Sequence, residues 1–419
     1  MGLPLESTCL PHRKAFELPR NTLLANVART SCVDHVSTGE MRIPRYTREF
    51  WSSGQRRSSS LHEVSYRACF KAQLPKFFVS NYSDPGETVY DPFMGRGTTL
   101  IEAALANRHV IGNDINPLSR VLCEARLHPP TEVEIKKRLE SIRFNYKRRA
   151  NIDLSMFYHR RTEAEIVCLR NYLLQRQKSG REDHIDRWIR MIATSRLTGH
   201  SSGFFSVYSL PPNQAVSPKD QKRINKARKQ KPEYRDVKTL ILKKSHSMLR
   251  DLAPQQIRSL TKIGKRARLL SKDARHTPMI RSNSVRLIVT SPPFLNIVDY
   301  ASDNWLRCWF NNIDVDQLAR NMIMSTTVKS WCDSMKDVLE ELHRICMKGG
   351  VIAFEVGEMA KGSIKLDEYI APLGIAVGLD CTAILVNEQS FTKTSNIWGV
   401  KNNTGGTNTN RIVLFRKPI

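Results

Sequence analysis

The chain has 419 residues, with 66 Lys and Arg against 40 Asp and Glu and a formal net charge of +26. That length supports one large domain with an insertion, or two domains, without disulfide staples, and so large a basic excess points to a polyanionic partner, nucleic acid first. The nine cysteines include no Cys-x-x-Cys pair, no apolar run matches a membrane span, and the start lacks a signal-peptide or acylation pattern, so the sequence predicts a soluble, cytoplasmic chain of reduced thiols with no metal and no membrane contact.

In chain order, residues 1–60 hold no sustained period and are rich in Arg, Ser and Pro, which reads as an irregular N-terminal extension. From Leu61 an α/β pattern begins. An amphipathic stretch runs to Val79, TVYDPF reads as a strand, a glycine loop follows, TLIEAALANR reads as a helix, and HVIGND reads as a second strand. Strand, glycine turn, helix and strand within about 30 residues make a βαβ unit, so 61–128 is assigned to a cofactor-binding part. Residues 129–262 form a basic insertion. It opens with two helical patterns, EIKKRLESIRFNYKRR and RTEAEIVCLRNYLLQR, and from Lys219 to Arg250 carries twelve Lys or Arg against three acids. In 263–419 the strands ARLLSKD and VRLIVT precede a long helix around SWCDSMKDVLEELHRICMKGG, with Gly349 as its stop. The strands VIAFEV, CTAILVNE and RIVLFRK then complete a doubly wound sheet of about seven strands, flanked by helices and crossed by a helical basic lobe.

Two motifs carry chemistry. In Asp91-Pro92-Phe93-Met94-Gly95-Arg96-Gly97-Thr98-Thr99, a strand ends and a helix begins, and the glycines let the backbone approach a ligand. Asp114 ends the next strand, nineteen residues after Gly95, where an acid accepts from ribose hydroxyls. No Gly-Lys-Ser/Thr follows, which excludes a Walker loop. Leu100 stands where a dinucleotide loop has its third glycine, and Asp91 favours a ligand ammonium over a pyrophosphate. The alternative is a tight turn with Asp91 as a helix cap. The second motif, Thr290-Ser291-Pro292-Pro293-Phe294, directly follows a strand. Its prolines fix an extended turn that offers the Ser291 hydroxyl, the Pro292 carbonyl and the Phe294 ring, two acceptors and a stacking face for a base amine. The alternative is a proline-rich loop.

Together, DPFMGRGTT, IGNDINP and TSPPF resemble the motifs of the DNA amino-methyltransferases of bacterial and phage modification systems, over roughly residues 61–128 and 263–360. The resemblance implies a Rossmann-like fold that binds S-adenosylmethionine through Asp91, Phe93, Gly95, Gly97 and Thr98, with Asp114 on the ribose and Asp273 on the adenine. Lys71 is a candidate near the methionine end, or else a surface lysine. Ser291, Pro292, Pro293 and Phe294 form the implied catalytic turn, and its serine resembles that of the cytosine-N4 enzymes more than the adenine-N6 ones. The absence of a Pro-Cys pair argues against cytosine C5 chemistry, which needs a thiolate. The insertion is the expected target-recognition region for DNA. Lys222, Arg223 and Lys226 suit phosphates, while Arg196, Asn213 and Gln214 beside Phe204, Phe205 and Tyr208 suit base edges or stacking. An RNA base methyltransferase, an adenine-N6 enzyme and a non-catalytic nucleic-acid-binding protein are the competing readings. Trp305, Trp309 and Phe310 are expected in the core, and Asn408, Asn410 and Arg411 in a turn.

Overall fold

The computed structural model describes residues 27, 29–38, 41–51, 58–66, 69–210, 215–293, 300–321, 325, 327–359, 363–388 and 409–419. The strands are β1 (Cys32–Thr38), β2 (Met41–Arg48), β3 (Thr88–Asp91), β4 (His109–Asn113), β5 (Arg268–Leu270), β6 (Val285–Thr290), β7 (Cys346–Val356), β8 (Glu358–Met359), β9 (Ile364–Lys365), β10 (Asp380–Glu388) and β11 (Thr409–Arg416). Nine of them form one sheet in the order β1-β2-β10-β11-β7-β6-β3-β4-β5, and β8 and β9 pair as a separate ribbon. β5, β4, β3, β6 and β7 run parallel, and β11 lies antiparallel between β7 and β10.

Alternate residues feed two apolar layers, because successive strand side chains point to opposite faces. Val89, Leu287, Val289, Ala353 and Leu385 enter one cluster, and Tyr90, Ile288, Ile352, Phe354 and Ile384 the other. Both faces are covered, as a doubly wound parallel sheet requires. From β3 the chain winds one way to β4 and β5, then returns to place β6 on the other side. The switch point therefore lies between β3 and β6, where ligands of such sheets bind at the carboxyl ends of the strands.

The 129–262 segment supplies six helices, from Glu132–Ser141 to Pro254–Gly264. Their apolar side chains, Ile135, Leu169, Trp188, Ile189 and Ile241 among them, join the same cluster as Val89 and Leu287, so the insertion thickens one helical layer of the core. Three expectations need correction. The first helical pattern ends at Ser141, and Arg143–Arg149 is irregular. The long helix is Val328–Ile345; Gly349 lies within β7 at φ +68°, at an irregularity where the register against β6 shifts. Residues 32–38 and 41–48, expected to be irregular, pair as the antiparallel strands of a hairpin whose β2 runs parallel to β10. Among the described residues of that hairpin only Val36 and Ile43 are buried, so there is too little alternation to read as strands.

Candidate active site

The loop from β3 to the helix Thr98–Leu105 turns at Gly95 (φ +48°) and Gly97 (φ +76°). A Cβ on Gly97 would lie 2.3 Å from the Cys123 sulfur, so position 97 requires glycine for space as well as for backbone conformation. Two backbone donors orient Asp114: Gly95 N–H to Oδ2 at 2.8 Å and Asn116 N–H to Oδ1 at 2.9 Å. Each oxygen keeps a lone pair for a ligand hydroxyl. Burial pushes the Asp114 pKa up, against these two donors.

Asp91 is 1% exposed and lies under the loop instead of at its rim. The Thr290 hydroxyl donates to Oδ1 at 2.7 Å and the Phe93 N–H at 3.1 Å. Burial pushes its carboxyl up to about 7, although the Thr290 and Thr99 hydroxyls and the Phe93 N–H pull it down. Asp91 thereby ties the glycine loop to the residue preceding Ser291. Thr98 is buried, and its hydroxyl oxygen accepts from Arg96 Nε at 3.2 Å. The Arg96 fork also binds the carbonyls of His62, Val64 and Phe70, while wholly buried Arg126 donates to the carbonyls of Leu61, Leu122 and Arg96. These two guanidiniums fasten Leu61, His62, Val64 and Phe70 behind the loop, and burial lowers the Arg126 pKa to about 10. Lys71 is half-buried beside this segment, and burial lowers its pKa too. Phe93 packs half-buried against the second apolar cluster.

Asp273 follows β5. The Asn113 side chain bonds both the N–H and the carbonyl of Lys272, at 3.0 and 2.9 Å, and so holds this loop against the end of β4. Burial would raise the Asp273 pKa, but the Arg275 side chain, 2.6 Å away, and the Arg275 N–H hold it below the usual carboxylate range. Asp91, Asp114 and Asp273 thus stand at the carboxyl ends of three neighbouring strands.

Ser291, Pro292 and Pro293 leave β6 beside β3; Phe294 lies outside the described residues. The Trp331 indole N–H donates to the Pro293 carbonyl at 3.0 Å and pins the turn to the helix Val328–Ile345. The Ser291 hydroxyl donates to Glu355, a buried carboxylate on β7, which also accepts from the Asn410 amide at 3.0 Å. Burial pushes the Glu355 pKa up against both donors. Asn410 and Arg411 belong to β11 and not to a turn: Asn410 binds Glu355, and Arg411 pairs with buried Asp367 at 2.6 Å. Asn408 lies outside the described residues. Sequence reasoning passed over Glu355, Trp331, Arg96 and Arg126. A lone acid in the apolar run VIAFEV was the available signal for Glu355.

The candidate nucleic-acid residues fall on separate elements. Lys222, Arg223 and Lys226 lie exposed on the helix Pro218–Ala227, the first two near Asp153 (3.6 Å) and Asp220 (3.2 Å). Arg196 ends the helix His184–Arg196, its guanidinium 4.0 Å from the Phe204 ring centroid, and burial lowers its pKa to about 10 with buried Arg307 adding like-charge repulsion. Asn213 and Gln214 lie outside the described residues. Trp305 and Trp309 are partly buried against the core and Phe310 is fully buried. Among the described residues no helix is long and apolar enough to cross a membrane, and no group of three or more His, Cys, Asp or Glu could hold a metal.

A parallel sheet with this strand order, closed by an antiparallel strand between β7 and β10 and carrying a glycine loop at its switch point, defines a Rossmann-like α/β fold of the methyltransferase type. Residues 37–119 match the family model described as DNA methylase. The chain is 32% identical over 86 residues to the type II methyltransferase M.MjaII of Methanocaldococcus jannaschii, covering 20% of this chain and 16% of that protein. It is 23% identical over 326 residues to the type II methyltransferase M.BsoBI of Geobacillus stearothermophilus, covering 71% and 62%. The alignments thus span 16% to 62% of the length of these relatives. Among solved structures, the rRNA methyltransferase aviRa of Streptomyces viridochromogenes is 11% identical, with coverage of 88% and 94% and a TM-score of 0.34. At that score the strand order alone carries the fold.

Proposed function

We propose that the protein is an S-adenosylmethionine-dependent DNA methyltransferase acting on an exocyclic base amine, cytosine N4 first. The observation that carries this reading is the Ser291 hydroxyl, held by buried Glu355 at the end of β6, next to the strand that opens the glycine loop. The residues at the loop suit the cofactor: Asp114 keeps lone pairs for a diol, and Asp91 supplies negative charge beneath a cationic ligand. When bound, the cofactor supplies an electrophilic methyl on a sulfonium.

The chain's own residues prepare the base amine. Cations of the insertion hold the DNA backbone while the target base leaves the stack. The amine hydrogens face the Ser291 oxygen and the Pro292 carbonyl. Because Ser291 gives its own hydrogen to Glu355, its lone pairs are turned to the amine, and the nitrogen lone pair is drawn out of conjugation. The methylated amine must lose a proton, which passes to the Ser291 oxygen as the serine proton moves to Glu355. Burial makes that carboxylate a better proton acceptor than an exposed one. Asp91 and Trp331 hold the turn in place from either side.

Mass spectrometry of nucleosides from DNA of cells expressing the protein, with a Ser291→Ala control, tests the reading. N4-methylcytosine that vanishes in the control supports it, and N6-methyladenine keeps the site and changes the base. Modified nucleosides in RNA alone would sink the DNA assignment.

A further inference from the structure

We propose a second contact site for the DNA backbone, outside the helix Pro218–Ala227, formed by the loop 143–149 and the start of the helix Arg160–Lys178; it rests on the DNA reading above. No acid stands between Glu140 and Asp153, whereas Arg143, Lys147 and Arg148 are exposed there, and Arg160 and Arg161 lie exposed close by. Charge alone would describe a solvated face. The ordering of the side chains goes further. The Arg161 guanidinium lies 4.7 Å from the Tyr146 ring centroid and 4.4 Å from that of Tyr234. Both tyrosines are unusually open, at 48% and 37% exposure.

Glu165 and Asp236 share the Tyr234 hydroxyl at 2.9 and 3.1 Å, and Glu165 also forms an ion pair with Arg161 Nε at 3.6 Å, which offsets one of the five cations of the patch. A guanidinium fixed by two rings keeps an N–H edge for a phosphate at little further entropic cost, and exposed aromatic edges among cations are the usual face for a nucleic-acid strand.

The patch is continuous with the candidate DNA face. Lys222 approaches Asp153, and the Asn225 amide bonds the Met156 carbonyl at 2.8 Å. Arg235, next to Tyr234, binds the carbonyls of Ser201, Phe204 and Ser206 and so ties the stack to the loop that carries Phe204 under Arg196. Along the same helix, Arg170 donates to the Trp309 carbonyl at 2.9 Å, in the helix Trp305–Asn311.

The test is the salt dependence of binding to a random-sequence duplex of about three helical turns, for wild type and for Arg148→Ala/Arg160→Ala/Arg161→Ala. About 0.9 of slope is lost per phosphate contact, so the triple variant is expected to flatten log K against log salt by roughly 2 to 3. Arg148→Glu alone, at an exposed loop position, should weaken binding in the same direction. Unchanged slope and affinity in both variants would overturn the proposal, as would wild-type binding to RNA but not to the duplex. Ser291→Ala should bind as wild type does and fail to methylate. Loss of methylation in wild type on every DNA tested would sink the catalytic reading while leaving the slope to decide this one.

Discussion

A serine hydroxyl is a weak acceptor of amine protons until something takes its own, and here that partner is Glu355. Glu355→Gln keeps the shape and the Asn410 contact side but cannot accept the proton, so kcat is expected to fall by about 10²-fold with KM for DNA little changed. Ser291→Ala should cost at least as much, and the double variant no more than the worse single one, as for residues acting as a unit. Single-turnover rates on methylatable DNA check this, and additive losses would contradict the relay. Asp91 adds a pH signature. Its carboxyl sits near 7 without a ligand because it is buried; a cation above the loop favours the ionised form and lowers that value. Cofactor affinity is therefore expected to rise with pH up to about 7 and level off above it, by up to about tenfold per unit on the acid side. Calorimetric titration would show the slope vanish in Asp91→Asn. Ser291 was legible in the sequence because its turn is local chemistry, two prolines after a strand. Glu355 was not, because only the β6–β7 register, which sets Thr290 opposite Phe354, brings it to the serine.

Among the elements, two of the glycines at positive φ, Gly349 and Gly97, separate strain from crowding. Gly349 sits in β7 at φ +68°, and the nearest atom to the place a Cβ would take, Ile419 Cγ1, is 3.9 Å away, so Gly349→Ala should lose about 1 kcal/mol from backbone conformation alone. Gly97→Ala meets the Cys123 sulfur as well, and the loss is expected to reach about 2–4 kcal/mol. Urea unfolding of both variants, with Cys123→Ala added to the second, separates the two contributions: relief by the added change would mark crowding. The strands and helices around the two motifs were readable from period and punctuation, since each has a buried face and a nearby glycine or proline. The end of the helix Val328–Ile345 was misplaced because Gly349 was read as its stop. The chain instead passes straight into β7 at Cys346, and the glycine serves the strand irregularity where Lys417 bonds across.

At the scale of the whole molecule, an ion network centred on buried Asp367 joins the hairpin β1–β2 to β11. Asp367 is wholly buried and pairs with Arg411 of β11 at 2.6 Å, while Arg45 of the N-terminal hairpin lies 3.7 Å from Asp367 and pairs with Asp34 and Glu368. No short-range pattern announces this network, because its members come from three distant segments and each reads alone as a surface charge. Arg411→Met would leave the Asp367 carboxylate with the more distant Arg45 in an apolar surround, and a loss of about 3–5 kcal/mol is expected on denaturant unfolding. Arg411→Met/Asp367→Leu, which removes both charges, should recover most of that loss. If it does, the network is a matter of fit between hairpin and sheet. Arg411 is also the neighbour of Asn410, so the single variant is expected to lower kcat through Asn410 and Glu355, whereas the double variant, with β11 repacked, should regain stability first and activity only as far as Asn410 returns to within hydrogen-bonding reach of Glu355.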